Sequence, residues 1–346
     1  MKPIRIAING FGRIGRLALR AGLSLPNLTF AALNDLGDAA TSAHLLKHDS
    51  VHGELSEPVR ALTGAIRVGR RTVRVLSEKD PAKLPWKRLR IDVVLECTGR
   101  FTKKADALAH VKAGAKRVII SAPSDDADVT VVRGVNEEAC QPSDVVVSNA
   151  SCTTNSLSPV VAVLDQHYSV VRGMMTTVHS YTNDQRILDL EHKDLRRARA
   201  AALNIIPTTT GATQATTKTI PHLKGKLEGL ALRVPTPCGS ITDFVAVVRK
   251  APRDANEVNR TFQAAAARGA LQGILEYSDL PLVSSDIVHN PHSAIIDGLS
   301  TQVNGTLVRV LAWYDNEWGY ANRLVELAAS IGAASVSTTR KGVRRT

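Results

Sequence analysis

The chain has 346 residues and a formal net charge of +12 with only 4% aromatic residues, a length that predicts about two domains each able to bury a core. No apolar run reaches the length of a membrane-spanning helix, and Met1–Ile6 leads into a strand rather than a signal peptide, so a cytoplasmic protein with no membrane partner is expected. Lys and Arg are scattered apart from 67–74, 196–199 and the tail 340–345, so the charge reads as attraction to anionic substrates rather than specific nucleic-acid binding. The first predicted strand, residues 4–8, runs into Gly10-Phe11-Gly12-Arg13-Ile14-Gly15 and then a helix over 16–23. This is G-x-G-x-x-G in the strand–turn–helix setting of a dinucleotide site: Gly10 for the turn, Gly12 for approach of a pyrophosphate, Gly15 for close helix packing. A second strand over 28–33 ends at Asn34-Asp35, an acid roughly twenty residues on, where a ribose hydroxyl would be bound. The competing reading of Asp35 is an ordinary turn residue. A helix over 39–46, a turn at 49–53 and hairpin strands punctuated by Gly64 and Gly69 follow. A buried strand over 91–96 then ends at Cys97-Thr98-Gly99, an edge facing a nucleotide. A helix over 105–113 and a strand over 117–121 complete an α/β alternation, which predicts a Rossmann doubly wound parallel sheet over 1–151. Longer β-type runs at 173–180, 227–234, 240–249 and 307–314, with one helix over 255–268, predict an α+β domain with a mixed or antiparallel sheet over 152–318. An amphipathic helix at 319–332 would complete the first domain, and the basic tail 333–346 is expected to fray.

Chemistry concentrates at Ser148-Asn149-Ala150-Ser151-Cys152-Thr153-Thr154-Asn155. An apolar strand (Val145–Val147) leads in and an amphipathic helix (Leu157, Val160, Val161, Val163, Leu164) leads out, placing Cys152 at a helix N-terminus. Free N–H groups and the helix dipole are expected to lower its pKa and make it a nucleophile; the competing reading is a buried structural cysteine. Cys97, Cys140, Cys152 and Cys238 form no C-x-x-C pair and no metal-ligand spacing, so reduced thiols and no metal are expected. His179 ends a strand, and an imidazole near the sulfur would supply the base such a nucleophile needs; a lone histidine is otherwise a structural hydrogen-bonder. Pro207-Thr208-Thr209-Thr210-Gly211 offers hydroxyls and flexible backbone to a phosphate, with Arg233 and Arg197 as guanidinium partners. Arg196 and Arg199 read equally well as a solvated or subunit-contact face.

Seven segments taken in order resemble phosphorylating glyceraldehyde-3-phosphate dehydrogenase: 9–15, 148–155, 179–185, 194–202, 207–211, 233–237 and 313–320. The resemblance implies a nicotinamide-binding Rossmann domain, a catalytic domain whose polar loop near 181–204 lines a neighbour's cofactor site, and a homotetramer. It implies that Cys152 attacks the aldehyde of glyceraldehyde 3-phosphate, hydride passes to NAD, and inorganic phosphate takes the acyl group to give 1,3-bisphosphoglycerate. By matching position, Ser151, Thr153, Thr210, Gly211 and Arg233 would serve the attacking phosphate. Thr182 and Arg233 would hold the substrate's phosphate, with Arg197 close by. Asn9, Gly10, Gly12, Arg13, Ile14, Asp35, Lys79, Thr98, Gly99, Ser121 and Tyr320 would contact the dinucleotide, with Asn316 on the carboxamide.

Three departures bear on substrate preference: Ser156 where a second cysteine is common, Thr213-Gln214 where Ala-Lys is usual, and Cys238 in place of Asn. Asp35 favours NAD because a carboxylate repels a 2′-phosphate, and Glu191 adds a second acid. Leu36-Gly37-Asp38 is not the usual NAD-type continuation, and His44–Lys47 resembles members that use either cofactor, so the expected cofactor is NAD with NADP as a secondary one. Two alternatives are erythrose-4-phosphate dehydrogenase, which hydrolyses its thioester, and a non-catalytic, NAD-dependent nucleic-acid-binding protein.

Overall fold

A computed structural model describes the backbone of residues 3–342 and the side chains of residues 3–333. The chain divides into two compact units: Met1–Val131, Glu138–Ala150 and the stretch from Ala321 on form the first, and Val132–Glu137 with Ser151–Tyr320 form the second.

In the first unit the elements are β1 (Ile4–Asn9), α1 (Arg13–Gly22), β2 (Leu28–Asn34), α2 (Ala39–Lys47), β3 (Val59–Leu62), β4 (Ala65–Val68), β5 (Arg71–Leu76), α3 (Trp86–Leu89), β6 (Val93–Glu96), α4 (Lys104–Lys112), β7 (Arg117–Ile120), β8 (Val129–Thr130) and β9 (Val146–Ser148). They build one sheet in the order β3-β4-β5-β2-β1-β6-β7-β9-β8. The order reverses at β1, whose neighbours β2 and β6 are both parallel to it, so the strands' carboxyl ends open a crevice there. Only β3, β4 and β5 pair antiparallel, as the expected hairpins at one edge. The central strands carry apolar residues on both faces, as a sheet covered on both sides requires: Val93, Val94, Leu95, Val118, Ile119 and Ile120 are all buried.

The second unit contains α5 (Cys152–Tyr168), β10 (Val170–Ser180), β11 (Ile206–Thr208), α6 (Ala212–Thr219), β12 (Leu227–Val234), β13 (Ser240–Val248), α7 (Ala255–Ala267), β14 (Leu275–Ser278), β15 (Ala294–Asp297), β16 (Gln302–Asn304) and β17 (Leu307–Tyr314). Its sheet runs β11-β12-β10-β13-β17-β15-β14, with β16 on β17. The sheet is mixed: β10–β12 and β14–β15 are parallel and the other pairs antiparallel. β13 alternates strictly between buried and part-buried positions, the pattern of a strand with one face on a core. That core gathers Leu157, Val160, Val161 and Leu164 of α5 with Phe244, Phe262, Val308 and Val310.

The last helix, α8 (Trp318–Gly342), continues beyond 333, where the sequence suggests a fraying tail; residues 343–346 lie outside the described residues. Within the first unit the Arg117 guanidinium donates to the Ile331 carbonyl at 3.2 Å, tying α8 to β7.

Candidate active site

The glycine turn of the first unit is built by close contacts. Gly10 sits at φ +90°, and a Cβ on it would lie 2.6 Å from the Thr98 nitrogen, so only glycine fits. A Cβ on Gly15 would run into the Gly10 carbonyl, whereas one on Gly12 would meet nothing within 4 Å. Gly12 is the N-cap of α1 and supplies no side-chain cap, and the positive end of the helix dipole there favours an anion. The Asp35 carboxylate accepts the Phe11 N–H at 2.5 Å and the Leu36 N–H at 2.7 Å, holding the end of β2 against the turn. This open cradle with an acid beside it fits a dinucleotide. Arg13 pairs with Asp49 at 2.6 Å, Ile14 is half-buried on α1, Ser121 follows β7, and Lys79 is exposed. Thr98 and Gly99 follow β6 after Cys97.

In the second unit, α5 begins at Cys152 behind Ser151, whose hydroxyl accepts the Thr154 N–H at 3.1 Å. Ala150, just before it, is held at φ +55°, a left-handed conformation that a non-glycine residue rarely adopts. The register of parallel β10 and β12 places Arg233 beside His179. Cys152 Sγ lies 3.4 Å from His179 Nε2. His179 Nδ1 lies 2.6 Å from the Ser180 carbonyl oxygen, an acceptor, and 2.8 Å from Arg233 Nη1, a donor; these contacts orient the ring with Nε2 toward the thiol without assigning its proton. Arg233 donates to the same carbonyl at 2.9 Å, and its Nε is buried with no protein partner.

One expectation needs correcting here. The helix N-terminus does not leave the Cys152 thiol with a lowered pKa: burial pushes it up, against the weaker opposing pull of Arg233 and of the Thr153 hydroxyl and N–H. The same burial, helped by the Arg233 charge, holds His179 down to about 3. Each group alone is therefore neutral. Moving the thiol proton to Nε2 creates two opposite charges 3.4 Å apart that compensate each other's desolvation, so the two titrate as a pair.

Two further links are not read from the sequence. The Tyr314 hydroxyl bonds Thr153 Oγ1 at 2.9 Å and Thr177 Oγ1 at 2.8 Å, pinning α5 to the sheet beside His179. Ser240 accepts the Ser180 N–H at 3.1 Å and donates to Asn316 Oδ1 at 2.9 Å, which leaves the Asn316 amide N–H groups as its free donors. Both links join residues far apart in the chain.

The phosphate-type residues divide. Thr210 accepts the Ala212 N–H at 3.2 Å, and Gly211 caps α6 with nothing within 4 Å of its Cβ position, an open helix N-terminus. Arg197 is engaged by Asp184 and bonds Thr208 Oγ1 at 3.0 Å, so it braces the loop around 181–208. The Thr182 N–H faces Gln185 Oε1 at 3.4 Å, and the Gln185 amide nitrogen is buried with no protein partner. Asn316 and Tyr320 are buried near the start of α8.

Comparison with known proteins agrees with this geometry. Residues 4–104 match the family of glyceraldehyde 3-phosphate dehydrogenase NAD binding domains, and residues 151–316 match its C-terminal domain. Glyceraldehyde-3-phosphate dehydrogenase 2 of Streptomyces avermitilis is 55% identical over 333 residues, covering 95% of this chain and 98% of that protein. The enzyme named glyceraldehyde-3-phosphate dehydrogenase in Geobacillus stearothermophilus is 54% identical over 332 residues, and glyceraldehyde-3-phosphate dehydrogenase 1 of Bacillus subtilis is 54% identical over 330, with the same two coverages. The chain belongs to the glyceraldehyde-3-phosphate dehydrogenase family. Among its departures from the family pattern, Cys238 is buried and donates to Asp315 Oδ1 at 3.1 Å, the same oxygen that caps α8 through the Glu317 and Trp318 N–H groups. Gln214 lies on α6, where it accepts from Thr213 Oγ1 at 3.1 Å.

Proposed function

We propose that this NAD-dependent glyceraldehyde-3-phosphate dehydrogenase works by covalent catalysis on Cys152 and hands the acyl group to inorganic phosphate. The observation that carries the reading is the 3.4 Å separation of Cys152 Sγ from His179 Nε2, in a ring whose other nitrogen is held by the Ser180 carbonyl and Arg233. As sulfur attacks the aldehyde carbon, His179 takes the thiol proton and returns it to the developing alkoxide, giving a thiohemiacetal. His179 then removes that hydroxyl proton as the carbonyl re-forms. The chemistry NAD supplies when bound is acceptance of the hydride that leaves the same carbon. Inorganic phosphate next attacks the thioester carbon, and the C–S bond breaks to release an acyl phosphate and the Cys152 thiolate.

Arg233 is the cation suited to the two phosphates, with its orphaned Nε; Ser151, Thr153, Thr182, Thr210 and Gly211 contribute hydroxyls and N–H groups, and Arg197 shapes the loop that carries them. For NAD, Gly10, Gly12, Arg13 and Ile14 would hold the pyrophosphate at α1, and Asp35 the adenosine ribose. Asn9, Lys79, Thr98, Gly99 and Ser121 would border the dinucleotide, with Asn316 and Tyr320 toward the carboxamide. The assembly we infer is a homotetramer, supported by exposed apolar residues concentrated in one loop: Ile187, Leu188, Leu190, Leu195, Leu203 and Ile205 are each at least 65% exposed. A cytoplasmic location is in keeping with four free cysteines; among the described residues no helix is long and apolar enough to cross a membrane.

The test is steady-state kinetics of the pure protein with glyceraldehyde 3-phosphate and NAD, with and without inorganic phosphate, alongside Cys152→Ser. Turnover should need phosphate and vanish in the variant while NAD binding survives. Rates indifferent to phosphate, or faster with erythrose 4-phosphate, would move the assignment to the hydrolytic reaction.

A further inference from the structure

A polar network centred on Glu96 and His110, residues that the mechanism does not use, lies inside the first unit, at the carboxyl ends of β1, β2 and β6. Glu96, the last residue of β6, is 2% exposed. Its Oε2 accepts from Asn9 Nδ2 at 2.6 Å and lies 3.0 Å from His110 Nε2. Its Oε1 accepts the Thr98 backbone N–H at 2.8 Å and the Thr98 hydroxyl. The Trp86 indole N–H donates to His110 Nδ1 at 2.9 Å. An indole can only donate, so Nδ1 carries the lone pair and Nε2 directs its proton at Glu96. Four donors therefore converge on one carboxylate. Asn9 extends the network: its Oδ1 accepts from Asn34 Nδ2 at 2.7 Å, and Asn34 Oδ1 accepts the Glu78 N–H at 2.9 Å.

A buried carboxylate is costly, and apolar side chains would hold three strand ends together at least as well. Its position suggests what it does instead. The Thr98 nitrogen that Glu96 holds is the atom a Cβ on Gly10 would strike at 2.6 Å. Glu96 thus sets the spacing between the glycine turn and the Thr98-Gly99 edge, the two lips of the crevice where strand order reverses. We propose that Glu96, oriented by Trp86 and His110, is a positioning residue that pre-forms the dinucleotide crevice; the role rests on the NAD reading of that crevice.

Glu96→Gln keeps the shape but turns one acceptor into a donor, which must face either the Asn9–His110 pair or Thr98. Calorimetric NAD affinity should fall roughly ten- to hundredfold, the loss expected for hydrogen bonds to a charged group. The KM for glyceraldehyde 3-phosphate and kcat at saturating NAD should stay within about twofold, the split expected when only cofactor binding is lost. His110→Ala should weaken NAD in the same direction. His110→Gln, which retains an N–H for Glu96, should restore affinity to within about threefold. A folded Glu96→Gln protein with wild-type NAD affinity would overturn the proposal, as would equal losses in kcat and both KM values. If that variant does not fold, equal NAD affinities for His110→Ala and His110→Gln would overturn it. Wild-type protein that binds no NAD in the same calorimeter would instead overturn the cofactor reading beneath it.

Discussion

Replacing His179 with asparagine isolates the partner that makes the thiol ionise. Burial pushes the Cys152 thiol up, and Arg233 and Thr153 recover only part of the loss. His179 Nε2 stands 3.4 Å from the sulfur. At an effective dielectric near 20, opposite charges at that separation attract by about 5 kcal/mol. Removing the imidazole therefore lowers the thiolate population at neutral pH by at most roughly a few thousandfold, and residual water brings the expected figure nearer a hundredfold. The assay is iodoacetamide alkylation of Cys152 in NAD-free protein from pH 5 to 10, read by peptide mass spectrometry. Mapping by peptide keeps the signal clean, because burial pushes Cys97 up to about 12 and Cys238 higher still, leaving both inert. Wild-type protein should react readily at pH 7. The asparagine variant should react about a hundredfold more slowly there and accelerate steeply above pH 9, with kcat down by about 10²- to 10⁴-fold. Superimposable alkylation profiles would refute the reasoning, since the helix N-terminus alone would then suffice.

Arg233→Lys keeps a positive charge but loses the planar fork, so the KM values for glyceraldehyde 3-phosphate and phosphate should each rise by about tenfold or more. Unchanged values would place both anions elsewhere. Phe262→Ala empties a fully buried site between α7 and the sheet of the second unit, and should cost about 3–5 kcal/mol in denaturant unfolding with both KM values unaltered. His179 also predicts acid sensitivity. Its folded pKa is about 3, so between that value and the unfolded 6.5 the unfolded chain binds a proton that the folded one refuses. Stability should therefore fall as pH drops through that window. His179→Gln should flatten the slope of unfolding free energy by up to about 1.4 kcal/mol per pH unit; identical slopes would mean that the folded site takes up that proton as readily as the unfolded chain.

What could be read in the sequence was what local chemistry dictates. The glycine turn, Asp35 just after β2, Cys152 opening α5 and His179 near the end of β10 each declare themselves within a dozen residues, because a turn, a strand end or a helix start is a short-range event. The helix Ala212–Thr219 escapes that logic. Half of its residues are threonine, which loses rotamer freedom in a helix, and no apolar stripe marks it. It forms because its small side chains pack closely on a neighbouring strand, where a Cβ on Gly229 would come 3.1 Å from Thr213. The thiol's ionisation escapes it for the same reason. A helix N-terminus is visible in sequence, but desolvation is a property of everything that surrounds the sulfur, and here it is the larger effect. The Tyr314 bridge to Thr153 and Thr177 spans 161 and 137 residues, and the Asn9–Glu96 bond spans 87. In each case a polar side chain looks incidental until the sheet registers are known. Cys152 and His179 can thus be named from the chain, whereas what makes them work as a pair depends on register and burial, which only the folded protein supplies.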